Sequence, residues 1–220
     1  MKTIARFIDY TRLKPETTPA EIERLCTEAR GFGFATVCVN PCYVPLAVEL
    51  LKGTKVGVCA VVGFPLGASL TGVKVAEAEL VTEAGATELD MVMNIGYFKA
   101  GECQRVVDDI RAVVKAADGR LVKVIIETGL LNENERVRAT ELVIESGAGF
   151  VKTGTGFGAG GATVADVVLL ARVAKGRVGV KAAGGIRTLS QARALIAAGA
   201  TRLGTSAGVM IVKEELEKNK

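Results

Sequence analysis

Short runs of β-branched and apolar residues alternate with amphipathic stretches along the whole chain, and the period of the apolar positions changes from two to about 3.6 each time. The period-two runs predict strands over Arg6 to Tyr10, Ala35 to Asn40, Lys55 to Val62, Glu88 to Asn94, Leu121 to Thr128, Phe150 to Thr155, Arg177 to Ala183 and Thr201 to Thr205. A helix is predicted after each: Pro19 to Gly31, Tyr43 to Leu51, Leu70 to Glu83, Glu102 to Ala117, Asn132 to Ser146, Val164 to Ala174, Leu189 to Ala198 and Ala207 to Glu217. Three helix ends share a phrase, Glu83-Ala84-Gly85-Ala86, Glu145-Ser146-Gly147-Ala148 and Ala197-Ala198-Gly199-Ala200, which sets a glycine cap before the next strand. A repeated β-α unit predicts an α/β fold with a parallel sheet, and eight repeats predict a closed (β/α)8 TIM barrel. No linker interrupts the pattern, so residues 1–220 read as one domain. An open doubly wound sheet would carry a G-x-G-x-x-G turn after its first strand, where this chain has Asp9-Tyr10-Thr11.

Composition narrows the chemistry. The chain has 220 residues, 49% hydrophobic and 24% charged, with no histidine and no tryptophan. Without imidazole there is no Ser-His-Asp or Cys-His pair and no histidine-ligated metal, so acid–base chemistry near neutrality falls to groups whose ordinary pKa lies well away from 7. The net charge of +4 is dispersed and aromatic residues are only 5%, which argues against a nucleic-acid partner. Five cysteines, Cys26, Cys38, Cys42, Cys59 and Cys103, lack paired zinc-site spacing and read as reduced thiols. The absence of a long apolar run argues against a membrane partner, and a cytoplasmic location is expected.

In such barrels polar residues at the carboxyl ends of strands form the reaction face, and strand parity says which point inward. In Phe150-Val151-Lys152-Thr153 the parity turns Lys152 inward, and in Val178-Gly179-Val180-Lys181 it does the same for Lys181. Buried lysines are rare, and two on neighbouring strands are expected to depress each other's pKa. At pH 7 a lysine of ordinary pKa is neutral about once in 2,500 molecules, whereas a drop of roughly three units makes about three in ten nucleophilic. Such an amine attacks carbonyls to form a Schiff base. In Glu88-Leu89-Asp90-Met91 the apolar residues take the helix side and Asp90 points inward, where a carboxylate could neutralise one lysine. Asp9, Cys38, Asn40, Lys123 and Glu127 are further candidates for the interior or its mouth, as structural or substrate-positioning groups.

The turns Gly154-Thr155-Gly156, Gly184-Gly185-Ile186-Arg187 and Gly204-Thr205-Ser206-Ala207-Gly208 suggest a phosphate site. Loops after strands seven and eight are where barrels bind phosphate, because glycine lets backbone N–H groups converge there.

These segments carry a family resemblance. Ile8-Asp9-Tyr10-Thr11 with Leu13-Lys14-Pro15, Val37-Cys38-Val39-Asn40-Pro41, Glu88-Leu89-Asp90-Met91-Val92, Lys123 to Thr128, Val151-Lys152-Thr153 and Lys181 to Arg187 resemble the deoxyribose-phosphate aldolases, from residue 8 to about 208. The resemblance implies a class I, metal-free and cofactor-free lyase that reversibly cleaves 2-deoxy-D-ribose 5-phosphate to glyceraldehyde 3-phosphate and acetaldehyde. It implies that Lys152 forms the Schiff base while Lys181 and Asp90 assist proton transfer. Asp9, Thr11, Cys38, Lys123 and Thr155 are then expected to bind substrate, and Gly156, Gly184, Gly185, Gly204 and Ser206 its phosphate. A homodimer or homotetramer is expected on the same ground. Three positions depart from the family pattern: Tyr10 stands where histidine is common, Gly154 where serine is common, and Phe157 where some members have lysine. The first two suggest a pocket of altered shape or polarity, and the third shifts phosphate binding toward backbone N–H groups and Ser206. A Schiff-base aldolase for another phosphorylated aldehyde and a non-catalytic sugar-phosphate sensor remain as alternatives.

Overall fold

A computed structural model describes residues 3–158 and 160–218. Its strands close into a parallel barrel in chain order: β1 (Ile8–Arg12), β2 (Thr36–Val39), β3 (Gly57–Val62), β4 (Glu88–Val92), β5 (Leu121–Ile125), β6 (Phe150–Lys152), β7 (Gly179–Ala183) and β8 (Arg202–Thr205), with β8 returning to β1. Helices α1 (Pro19–Phe32), α2 (Val44–Leu51), α3 (Thr71–Glu83), α4 (Ile95–Lys99), α5 (Cys103–Ala116), α6 (Glu133–Glu145), α7 (Val164–Ala174), α8 (Leu189–Ala197) and α9 (Gly208–Lys218) accompany the strands. All eight predicted helices are present. The three predicted glycine caps hold at Gly85, Gly147 and Gly199, each at positive φ, where a side chain would be strained.

Most strand boundaries differ from the sequence reading by one or more residues, and four of the differences have a local reason. β1 starts two residues late because Ile4–Phe7 winds into a 3-10 turn, with the Ile4 N–H donating to Glu215 Oε2 of α9 at 3.1 Å. β4 stops at Val92, and Asn94 caps the unpredicted α4 by accepting from the Tyr97 N–H at 3.0 Å. β5 ends at Ile125 because Glu127 takes a left-handed conformation, φ 53°, that leads into a 3-10 turn over Thr128–Leu130. β6 keeps only three residues before its chain turns away over the barrel mouth.

The apolar core lies between the strands and the helices. Leu89, Met91 and Met93 of the β4 region, Val180 and Ala182 of β7, and Val37 and Val39 of β2 all belong to it. Inside the barrel the apolar part is small: Leu13, Cys38, Cys59 and Val61, with Phe64 against them. Much of the remaining interior is charged.

One buried ion pair ties helices to the barrel. Lys74 on α3 is fully buried and donates to Asp109 Oδ2 on α5 at 2.7 Å and to the Val92 carbonyl of β4 at 3.1 Å, while Thr71 donates to the other Asp109 oxygen at 2.7 Å. Removing one member would leave a buried charge without its partner. Lys74→Ala is therefore expected to cost about 3–5 kcal/mol in urea unfolding, and Lys74→Met combined with Asp109→Leu to recover most of it. Equal losses in the single and double variants would contradict this account.

Candidate active site

Parity brings a set of charged side chains from six strands into the barrel. Asp9 (β1), Glu88 and Asp90 (β4), Lys123 (β5), Lys152 (β6), Lys181 (β7) and Arg202 (β8) point inward together. Register sets their heights: Asp90 pairs with Lys123, Lys152 with Lys181, and Lys181 with Arg202. Two lysines side by side would repel, and Asp90 separates them electrostatically. Its Oδ2 accepts from Lys152 and from Lys181, each at 2.7 Å, and its Oδ1 accepts from Lys123 at 2.8 Å. Asp9 completes the lower part, with Lys181 at 2.5 Å, Arg202 at 2.6 Å and the Thr36 hydroxyl donating at 2.8 Å. Glu88 takes Lys123 at 2.7 Å and Arg202 at 3.0 Å.

The electrostatics follow from this packing. Burial alone would raise the Asp90 carboxyl, but the charges of Lys123, Lys152 and Lys181 outweigh it and hold Asp90 well below the usual carboxylate range. Asp9 is likewise held low, against burial, by Lys181, Lys123 and Arg202. For Lys181 burial works against the charge, yet Asp9 and Asp90 hold its pKa above the ordinary lysine value. The expectation that two neighbouring cations would depress one another therefore fails at Lys181, because both carboxylates lie closer to it than a through-space repulsion can offset. Lys123 is raised for the same reason, mainly by Asp90. Burial, the Cys38 contact and Asp90 push the Cys59 thiol well up, and it donates to Asp90 Oδ1 at 3.1 Å.

Above this cluster opens a cleft of about 340 Å³. Lys152 is the only charged member of the cluster that lines it. Thr11, Thr155, Gly156, Gly184, Gly185, Gly204 and Ser206, all predicted to meet substrate or phosphate, line the same cleft. The N–H groups of Gly156, Gly185 and Ser206 have no acceptor among the described residues. Other predicted residues do not reach it. Asp9, Cys38 and Lys123, expected to bind substrate, are fully buried beneath, where each satisfies the cluster: Asp9 and Lys123 by ion pairing, Cys38 by packing 4.0 Å from Asp90. Lys181 and Asp90 also lie under the cleft floor and reach it only through Lys152.

Sequence reasoning missed Glu88, Arg202 and Cys59 in the cluster, although the parity that turned Asp90 inward also turns Glu88 inward. It also underrated Lys14 and Arg187, which line the cleft with no carboxylate partner among the described residues and offer it two cations beside the backbone groups and Ser206. Lys14 lies 5.6 Å from the Phe157 ring centroid, and Phe157 meets Phe64 edge-on at 5.3 Å. Tyr10 does not alter the cleft. Its ring packs 5.0 Å from Phe34 on the helix side and its hydroxyl donates to Glu28 at 2.7 Å.

Cys38, Cys59 and Asp90 bring ligand atoms within 4.8 Å of one another. Both Asp90 oxygens already accept from ammonium groups, so this donor set does not suit a metal ion.

A sequence model described as DeoC/LacD family aldolase matches residues 4–216. The deoxyribose-phosphate aldolase of Carboxydothermus hydrogenoformans is 54% identical over 214 residues, covering 96% of this chain and 94% of that protein. Deoxyribose-phosphate aldolase 1 of Bacillus licheniformis is 56% identical over 213 residues, 96% of each chain. Among solved structures, one titled as the unique tetrameric structure of deoxyribose phosphate aldolase from Aeropyrum pernix superposes with a TM-score of 0.92 at 35% identity, covering 98% of this chain and 92% of that one.

The pKa directions predict a pH profile. Asp9 and Asp90 are lowered, so their contribution to stability is complete above the unfolded carboxylate value near 4 and is lost as pH falls toward the folded-state values. Lys123 and Lys181 are raised, so theirs is complete below the unfolded lysine value near 10.4 and is lost as pH rises through the folded-state values. The urea midpoint is expected to stay level between roughly pH 5 and pH 9 and to fall on both sides. A steady slope across that interval would contradict the cluster as described.

Proposed function

The chain belongs to the DeoC/LacD aldolase family, and from that membership we infer that it catalyses the reversible aldol cleavage of 2-deoxy-D-ribose 5-phosphate to D-glyceraldehyde 3-phosphate and acetaldehyde through a lysine Schiff base. The observation that carries the assignment of that lysine is Lys152: it alone joins the charged cluster to the cleft. In the proposed reaction the free amine of Lys152 attacks C1 of the open-chain sugar and water is lost, giving a protonated imine. The C3 hydroxyl gives its proton to a base, the C2–C3 bond breaks, and its electron pair flows into the imine. Glyceraldehyde 3-phosphate leaves an enamine on Lys152. Protonation at C2 and hydrolysis then release acetaldehyde and restore the amine.

The cluster supports both charge states of Lys152. With Lys152 as the amine, three cations (Lys123, Lys181, Arg202) face three carboxylates (Asp9, Glu88, Asp90). When the imine forms, its positive charge lies where Asp90 Oδ2 stands 2.7 Å from Nζ. Lys181 and Asp90 thus act on the reaction from beneath, as the charges that Lys152 faces. The phosphate fits the other half of the cleft, against the N–H groups of Gly156, Gly185 and Ser206 with Gly184 and Gly204 giving backbone access, and within reach of Lys14 and Arg187. Thr11 is assigned to the sugar hydroxyls, and Thr155 meets the substrate as part of the turn that carries the Gly156 N–H.

The proposal includes a single domain, a cytoplasmic location and a homodimer or homotetramer. Two features support association: Leu70, Val73 and Leu80 are largely exposed, and an apolar groove of about 670 Å³ runs beside α3. Light scattering of the purified protein tests it, with a monomer at micromolar concentration as the contrary result.

Borohydride reduction in the presence of acetaldehyde is expected to trap one adduct per chain on Lys152, located by peptide mass mapping. Lys152→Ala should lower kcat on the order of 10⁴-fold or more. An adduct on another residue would overturn the assignment.

A further inference from the structure

We propose that Glu127 is the positioning residue of the phosphate half of the cleft, holding the 153–158 turn in place through its carboxylate, and that Gly154 and Gly158 are present to admit that carboxylate. The proposal rests on the assignment of the cleft to a phosphorylated sugar.

Glu127 has no part in the charged cluster. It is buried, with 8% of its surface exposed, and among the described residues it makes no ion pair. A buried carboxylate without a cation is costly and calls for another use. Its backbone is the second sign: φ 53° and ψ 68° is a left-handed conformation that a non-glycine residue keeps only where its surroundings enforce it. Two backbone bonds do so. The Thr128 N–H donates to the Thr153 carbonyl at 2.8 Å, and the Leu130 N–H donates to the Glu127 carbonyl at 2.9 Å.

That conformation carries the side chain across the end of β6 to the back of the turn. There Glu127 Oε2 accepts the Thr155 N–H at 3.1 Å. The Thr155 hydroxyl in turn accepts the Phe157 N–H at 3.0 Å, so the peptides before and after the Thr155–Gly156 peptide are held while the Gly156 N–H between them stays unpaired. Thr155, Gly156 and Phe157 line the cleft and Glu127 does not; the turn lies between the carboxylate and the substrate. The negative charge is thus kept off the phosphate while its hydrogen bond shapes the turn that meets it.

The glycines fit this arrangement. A Cβ on Gly154 would lie 2.8 Å from Glu127 Oε1, and one on Gly158 would lie 3.1 Å from the same oxygen. Gly154 is the position where serine is common in the family, so in this chain the turn is packed onto Glu127 more tightly than a side chain there would allow.

The test compares 2-deoxyribose 5-phosphate with unphosphorylated 2-deoxyribose and adds binding of inorganic phosphate by calorimetry. Glu127→Ala removes the acceptor and is expected to raise KM for the phosphorylated sugar and Kd for phosphate by about tenfold, a size typical of one lost hydrogen bond, with KM for deoxyribose and kcat for both sugars changed less than about threefold. Glu127→Gln keeps an acceptor and should restore both constants to within about threefold of the parent. Gly154→Ala should mimic Glu127→Ala, and the double variant should be no worse than Glu127→Ala alone, because the clash disappears with the carboxylate. Circular dichroism checks that each variant is folded. Equal losses on both sugars, unchanged phosphate affinity in Glu127→Ala, or additive losses in the double variant would each overturn the proposal. A parent protein that binds phosphate but cleaves neither sugar would overturn the aldolase reading and leave the phosphate measurements to judge Glu127.

Discussion

The interior of this barrel is organised around one carboxylate. Asp90 accepts from three ammonium groups on three other strands, and Asp9, Glu88 and Arg202 pair with two of those lysines or with one another. Burying five ionisable side chains, with Glu88 and Arg202 partly exposed beside them, is costly, and removing a single partner exposes the others to that cost, so the set behaves as a unit. It therefore constrains the register of the sheet. A one-residue slip of β4 or β5 would turn Asp90 or Lys123 out into the apolar layer, and the same holds for β6 and β7 with Lys152 and Lys181. The small residues nearby obey the same constraint. A Cβ on Gly204 would lie 3.1 Å from the Lys181 side chain, and one on Gly179 would lie 2.3 Å from the Phe150 ring.

From this follows a division of the molecule at Lys152. Below it, contacts are short, ionic and closed to solvent. Above it, the cleft is lined largely by glycines, threonines, Ser206 and the loop cations Lys14 and Arg187, a surface suited to an anion. The strands thus carry the charged interior, and the loops carry most of the open cleft. Such a division suits an imine reaction, in which the nucleophile must sit in a rigid field while substrates of different length enter and leave.

How much of this is legible in the sequence depends on whether a residue obeys a period. Strand parity turns Lys152, Lys181 and Asp90 inward without any structure, and eight β-α rounds give the barrel. Glu88 and Arg202 obey the same parity, but they stand at strand beginnings, away from the end where chemistry is sought. Lys14 and Arg187 lie on loops, where no period operates. Glu127 sits two residues past a strand whose predicted extension to Thr128 hid its left-handed turn. The expected depression of the lysines failed at Lys181 for a different reason: parity places two cations together but does not show the carboxylates that come between them from other strands.

The absence of histidine acquires a physical meaning through the same carboxylates. A neutral-pH base is usually an imidazole, and none is present in this chain. Asp90 is no substitute, because the lysines hold it ionised far below neutrality, and Lys181 is none either, because Asp9 and Asp90 hold its proton. Neither group beneath Lys152 readily takes up the proton that the ammonium must lose. The remaining direction is the cleft, the one side of Lys152 not enclosed by the cluster. In the proposed reaction, then, the proton of Lys152 is exchanged on the substrate side, with water or with the carbinolamine hydroxyl that departs as water. An interior built this way contributes a fixed field rather than a proton reservoir, and it needs no group that titrates near pH 7.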